Sequence, residues 1–274
     1  MKTVCEKNKF RVLKRGIGAA AIAGLMGFAG AAQANPMTVD LNFSGGGLFP
    51  AGSKGSRITY NNGVNPSLSM GVAAGMFSGT ASNGVNFDET SLYLDEGNVL
   101  AYCVDIVNRL LRKTNTYNVK EVTPDLVVDP QGVRRDFGRT LQFLGAANHV
   151  ARTQFNIFEG EKNWLNPSTN WMSAAIQVGI WESLYEKDSS ELDTSGGWFQ
   201  ATSIGNKGNQ FLADSFKLMG GLKPPPAVDA KLVKWLQIDG GQDLLVDPVD
   251  VPAPAPLALL LAGLALMVRL RANQ

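Results

Sequence analysis

From Ser91 to Val107 the chain reads SLYLDEGNVLAYCVDIV, two apolar runs on either side of Glu96-Gly97-Asn98. This is the pattern of a hairpin. In its second arm, period-two alternation puts Val99, Ala101, Cys103 and Asp105 on one face, and Leu100, Tyr102, Val104 and Ile106 on the other. Both faces are largely apolar, which predicts a central strand covered on both sides. The Cys103 face carries the smaller residues and leaves room for another element to come close. Upstream, residues 35–86 are rich in Gly, Ser and Asn, yet apolar stretches such as SRITYNNGV and SLSMGVAAGMF recur. They predict short strands and loops, with a hairpin turn at Asn62-Gly63.

Downstream the apolar spacing becomes helical. Phe137, Leu141, Leu144 and Ala151 predict a helix from Arg134 to about Arg152. A second follows the breaker Asn166-Pro167-Ser168 and runs from Asn170 to Lys187. A third, Asn209 to Met219, ends at a glycine cap, Gly220-Gly221. Between the last two, Ser189 to Gly208 reads as a polar loop. Pro224-Pro225-Pro226 makes a stiff joint, and LVKWLQI from Leu232 reads as a returning strand. No fixed-period repeat is present. Strands, then helices, then a strand predict an α+β fold, with a β-sandwich or barrel-like part and a helical part.

The two ends stand apart from this pattern. A basic segment ending at Arg15 leads into GIGAAAIAGLMGFAGAA and then Ala32-Gln33-Ala34, the layout of a secretory signal peptide over residues 1–34. Residues 249–274 hold Val251-Pro252-Ala253-Pro254, the apolar run Leu257 to Val268, and a basic end at Arg269 and Arg271. That run rises only about 18 Å, short of a roughly 30 Å hydrocarbon core. Residues 1–34 carry +5 and residues 251–274 carry +2 of the overall +1, so the domain between them is mildly acidic. With no basic stripe and no interleaved aromatics, nucleic-acid binding is not expected. One histidine, no Asp-rich calcium loop and no Gly-rich loop leading into Lys-Ser/Thr leave no motif for a metal or other cofactor. Of two cysteines, Cys5 lies in the signal peptide, which leaves Cys103 as the one thiol of an exported domain.

Candidate chemistry centres on that thiol. In AAIQVGIW, Gln177 is boxed in by Ile176, Val178, Ile180 and Trp181. A buried amide is costly unless its polar atoms are satisfied. On a helix Gln177 shares a face with Ser173 and Trp181. If that face packs on the small-residue face of the Cys103 strand, thiol and carboxamide meet. Sulfur attack with loss of ammonia would then give an internal thioester, favoured by proximity and by exclusion of water. Two other readings stay open. Cys103 and His149 would form a thiol dyad of transglutaminase-like or papain-like type. Alternatively, Cys103 is an inert buried residue of a structural matrix protein.

Two resemblances sharpen these expectations. The tail, through Val251, Pro252 and Pro254, resembles the PEP-CTERM sorting signal, with Ala253 where that family has Glu. This implies an exosortase-type processing enzyme as a partner, and a route through the membrane to the surface or extracellular matrix of a Gram-negative-type bacterium. Tyr102-Cys103-Val104-Asp105 followed by Gln177-Val178-Gly179-Ile180-Trp181 resembles the thioester domain of bacterial surface adhesins, with Gly179 in place of Ala. It implies a Cys103–Gln177 thioester, with Tyr102, Asp105 and Trp181 as shielding or supporting residues. It also implies single-turnover covalent adhesion to an amine-bearing ligand, a protein lysine or an amino sugar, and not catalysis.

Overall fold

The computed structural model describes residues 35–247 apart from positions 46, 62, 64–66, 96–97, 129–132, 157–163, 188–191 and 203. The expected signal peptide and the sorting tail, with Val251, Pro252 and Pro254, lie outside the described residues. The strands are β1 (Thr38–Asn42), β2 (Lys54–Tyr60), β3 (Leu68–Ala74), β4 (Phe77–Val85), β5 (Tyr93–Asp95), β6 (Asn98–Cys103), β7 (Asn115–Glu121), β8 (Leu126–Val128), β9 (Arg134–Asp136), β10 (Phe199–Ala201), β11 (Lys234–Gln237) and β12 (Leu244–Val246). The helices are α1 (Phe137–Thr153), α2 (Asn170–Tyr185) and α3 (Asn206–Met219). The mixed α and β composition matches the expected class.

Six strands close into an antiparallel barrel. β1 pairs with β4, β4 with β6, β6 with β12, β12 with β11, β11 with β7, and β7 returns to β1. Closure removes exposed strand edges. Cross-strand partners lie on one face of a sheet, so the register fixes what points inward. Leu41 opposes Ala81, Phe77 opposes Ala101, Cys103 opposes Leu244, and Leu244 opposes Leu236. These are buried, whereas Thr80 and Ser82, on the other face of β4, are exposed. A second sheet of β10, β2 and β3 and a two-stranded ladder of β8 and β9 lie outside the barrel.

The expected hairpin forms as β5 and β6, although the strand stops at Cys103 and does not run on to Val107. β2 and β3 form the other expected hairpin. Arg134 to Asp136 extend as β9, and α1 starts only after Asp136, whose carboxylate accepts the Arg139 N–H at 2.9 Å. That side-chain cap satisfies one of the orphan amides of the first turn. β7, β8, β10 and β12 are strands that the apolar pattern does not predict.

α2 is the centre of the molecule. Every residue from Met172 to Tyr185 is buried, as expected of a helix with no polar face. It packs on α1 and α3 and on the β2, β3, β10 sheet. Its start is set by Thr169, whose hydroxyl accepts the Met172 N–H. Among the described residues no helix is long and apolar enough to cross a membrane.

Candidate functional site

A helix buried all round must find partners for its polar side chains inside the protein. Gln177, 1% exposed, does so against a single residue 74 positions away. The Cys103 N–H donates to its Oε1 at 2.8 Å, and its Nε2 donates to the Cys103 carbonyl at 2.9 Å. The strand geometry explains why Cys103 is available. Backbone groups of successive strand residues point to alternate sides. The Val104 N–H goes to the Asp243 carbonyl on the β12 side, so those of Cys103 face the β4 side. There β4 begins at Phe77, opposite Ala101, two residues short of Cys103. The carboxamide continues the ladder where β4 is missing. One turn earlier on α2, Ser173 does similar work: its Oγ accepts the Met76 N–H at 2.8 Å.

The expected contact between helix and small-residue face does not occur. That face turns into the barrel, and α2 meets β6 at its backbone edge, because the free groups of Cys103 lie in the plane of the sheet. Thiol and carboxamide are nevertheless brought to the same residue. The thiol side chain belongs to the inner face, with Tyr117 of β7 on that same face. Burial pushes the thiol well above its ordinary range, and the Asp105 carboxylate pushes it further. It is therefore a neutral S–H at physiological pH. Tyr117 is buried, and among the described residues its hydroxyl has no hydrogen-bond partner; burial raises its pKa, as do Cys103 and Asp243.

Asp105 is buried. It forms an ion pair with Arg135 of β9 at 2.5 Å and accepts the Asp243 N–H at 3.0 Å. Arg135 donates to the Tyr185 hydroxyl, which donates to the Val104 carbonyl at 3.0 Å. Burial works to discharge Arg135, but Tyr185 and Asp105 outweigh it and hold the guanidinium charged. Burial and then Asp105 raise Asp243 to about 6. The network ties the exit of β6 to β9, to the end of α2 and to the approach to β12.

Trp181 is 3% exposed, one turn beyond Gln177, with its ring 6.4 Å from that of Phe199. Tyr102, on the outer face of β6, packs on Trp164 at 5.7 Å between ring centres, and its hydroxyl donates to the Trp164 carbonyl. Gly179 stands where a Cβ would lie 2.0 Å from the Phe143 ring, which leaves no room for a side chain there. The structure does not bring His149 to Cys103. It is exposed on α1 and lines a cleft with Pro225 and Pro226.

Sequence reasoning missed Arg135, Tyr185 and Asp243, which carry no motif. It also missed Glu182, a carboxyl fully buried on α2. Burial, then Glu186 and Asp193, raise its pKa to about 10. Its position among apolar residues on a helix buried all round was the available signal. Among the described residues no group of three or more His, Cys, Asp or Glu is placed to hold a metal.

Comparison with protein-family models, with curated proteins and with solved structures finds no match to this chain.

Proposed function

We propose that this is an exported surface or matrix protein that captures amines covalently through a thioester between Cys103 and Gln177. The observation that carries the reading is the docking of the Gln177 carboxamide on the backbone of the residue that bears the domain's one thiol. Sulfur attacks Cδ of Gln177, the C–N bond breaks, and the thiol proton leaves with the nitrogen as ammonia. An amine of the partner then attacks the same carbon. The C–S bond breaks, an amide forms, and a proton returns to the Cys103 sulfur. The fold supplies effective concentration and dryness, both of which favour the exchange over hydrolysis. Each molecule reacts once, which makes this adhesion or cross-linking and not turnover. The tail's resemblance supports delivery to the cell envelope through an exosortase-type enzyme.

A second reading is favoured by the same hydrogen bonds. They give both polar atoms of the buried amide a partner, so Gln177 has a structural use without any covalent chemistry. Closing the thioester also removes Nε2 and deprives the Cys103 carbonyl of its donor, a cost of about 1–3 kcal/mol. Intact mass of the purified protein, before and after methylamine, separates the two. The thioester predicts a mass short by one ammonia, replaced by a methylamine adduct at Gln177, with both effects absent in Cys103→Ala. Full mass with a titratable Cys103 leaves the structural reading.

A further inference from the structure

A cleft of about 250 Å³ opens on the outer face of β4 and β6. Met76 and Leu100 form its apolar floor, and Ser78, Asn98, Asn166 and Ser168 supply amides and hydroxyls around it. Its Met76 end adjoins the start of β4, the place where Gln177 docks on Cys103 in place of a strand. The Met76 N–H is held by Ser173, one turn before Gln177, and Leu100 lies three residues before Cys103 on β6. Its far wall, Asn166 to Ser168, leads directly into the cap of α2.

None of the residues lining the cleft is charged. An ammonium group entering it would lose hydration with no carboxylate to replace it. Only the unprotonated amine is a nucleophile, and a lysine, with an ordinary pKa near 10.4, is almost wholly ammonium at neutral pH. An amine set beside ring hydroxyls and an acetal carbon is far less basic. Side-chain amides and hydroxyls around an apolar floor also fit the mixed polar and C–H surface of a sugar ring.

Resting on the thioester reading, we infer that the cleft seats one amino-sugar unit of a neutral glycan and presents its amine to Gln177, in preference to a lysine side chain. The amine nitrogen of the seated sugar bonds to Cδ of Gln177, the Cys103 sulfur leaves, and one amine proton ends on that sulfur.

The test uses the full chain with Cys103→Ala, which forms no thioester, so the outcome is independent of whether that bond closes in the parent protein. Saturation-transfer NMR with glucosamine and with Nα-acetyl-lysine at pH 9 reads occupancy of the cleft. The expected result is transfer to glucosamine at least fivefold stronger than to the lysine derivative. It should be lost when the cleft is filled by Asn98→Trp or, separately, by Ser168→Trp, both at exposed rim positions. Absent transfer, equal transfer to both amines, or glucosamine transfer that survives both tryptophans overturns the assignment. Failure of the thioester itself shows elsewhere, as full mass of the Cys103 protein before any amine is added.

Discussion

Removing the Gln177 carboxamide should destabilise the fold far more than removing the thiol beside it. The comparison belongs in a Cys103→Ala background, where no thioester forms and both amide hydrogen bonds are in place. Gln177→Ala strands the N–H and the carbonyl of residue 103 in a site where the neighbouring side chain is 1% exposed. Each orphaned buried group costs about 1–3 kcal/mol, so the pair costs about 2–6 kcal/mol before any cavity is counted. That is a large share of the roughly 5–15 kcal/mol that holds a domain folded. Cys103→Ala alone deletes one sulfur from the barrel interior and touches no hydrogen bond, which places it at about 1–2 kcal/mol. Urea unfolding followed by tryptophan fluorescence measures both. A Gln177→Ala penalty below about 1 kcal/mol would refute the idea that this side chain completes the β6 ladder.

Gln177→Glu adds a pH signature to the same test. A protonated carboxyl there donates its O–H to the carbonyl of residue 103 and accepts from the N–H, much as the amide does. The ionised form sets a second acceptor against that carbonyl in a dry site, so the folded pKa rises above the ordinary value near 4.3. A raised folded pKa makes the contribution complete below about pH 4.3 and loses it as pH climbs through the folded value. The variant should match its parent near pH 4 and weaken steadily toward pH 8. Hydrolysis of the thioester would leave the same carboxylate at position 177 beside a free Cys103, so spent protein would share this instability.

Glu182→Gln should stabilise the protein, because the wild-type carboxyl must hold its proton to stay buried. With a folded pKa of about 10 against roughly 4.3 unfolded, the gain is on the order of 3–4 kcal/mol at pH 7, and it vanishes near pH 4; a gain that does not change with pH in urea titrations would contradict this. Gly179→Ala drives a methyl group into the Phe143 ring and should cost about 1–3 kcal/mol through overpacking, against about 1 kcal/mol gained in helix propensity. Adding Phe143→Leu should recover the loss, and a Gly179→Ala protein that melts above its parent would show that the ring yields.

The segments most legible in the sequence are those with local punctuation. Asn166-Pro167-Ser168 and the apolar run behind it place α2 within two residues, and the alternation through Val99 to Cys103 places β6. That the boxed-in amide of Gln177 needs a partner is also legible, and the partner is the backbone of Cys103. The manner of the meeting is not. Whether a helix rests on a strand's face or joins its edge depends on where the neighbouring strand begins, and the start of β4 at Phe77 is a tertiary fact. Barrel closure is hidden for the same reason: β12 is three residues long and pairs with β6, a strand far earlier in the chain. β7 does show alternation, with Tyr117 and Val119 buried between exposed polar residues. Its polar composition masks that signal. Asp105 sits in a buried ion pair only because Arg135 arrives from β9, a strand that forms where the apolar spacing predicts the start of a helix.

Closure of the barrel by β12 has a mechanical meaning. The chain from Asp247 to Gln274 continues directly from this strand, whose partners on β6 are Tyr102 and Cys103. Gln177 grips Cys103 from the opposite edge. Under the proposed covalent capture, a pull on Gln177 relative to the chain after Val246 would pass through one side chain and two adjacent strands, β6 and β12.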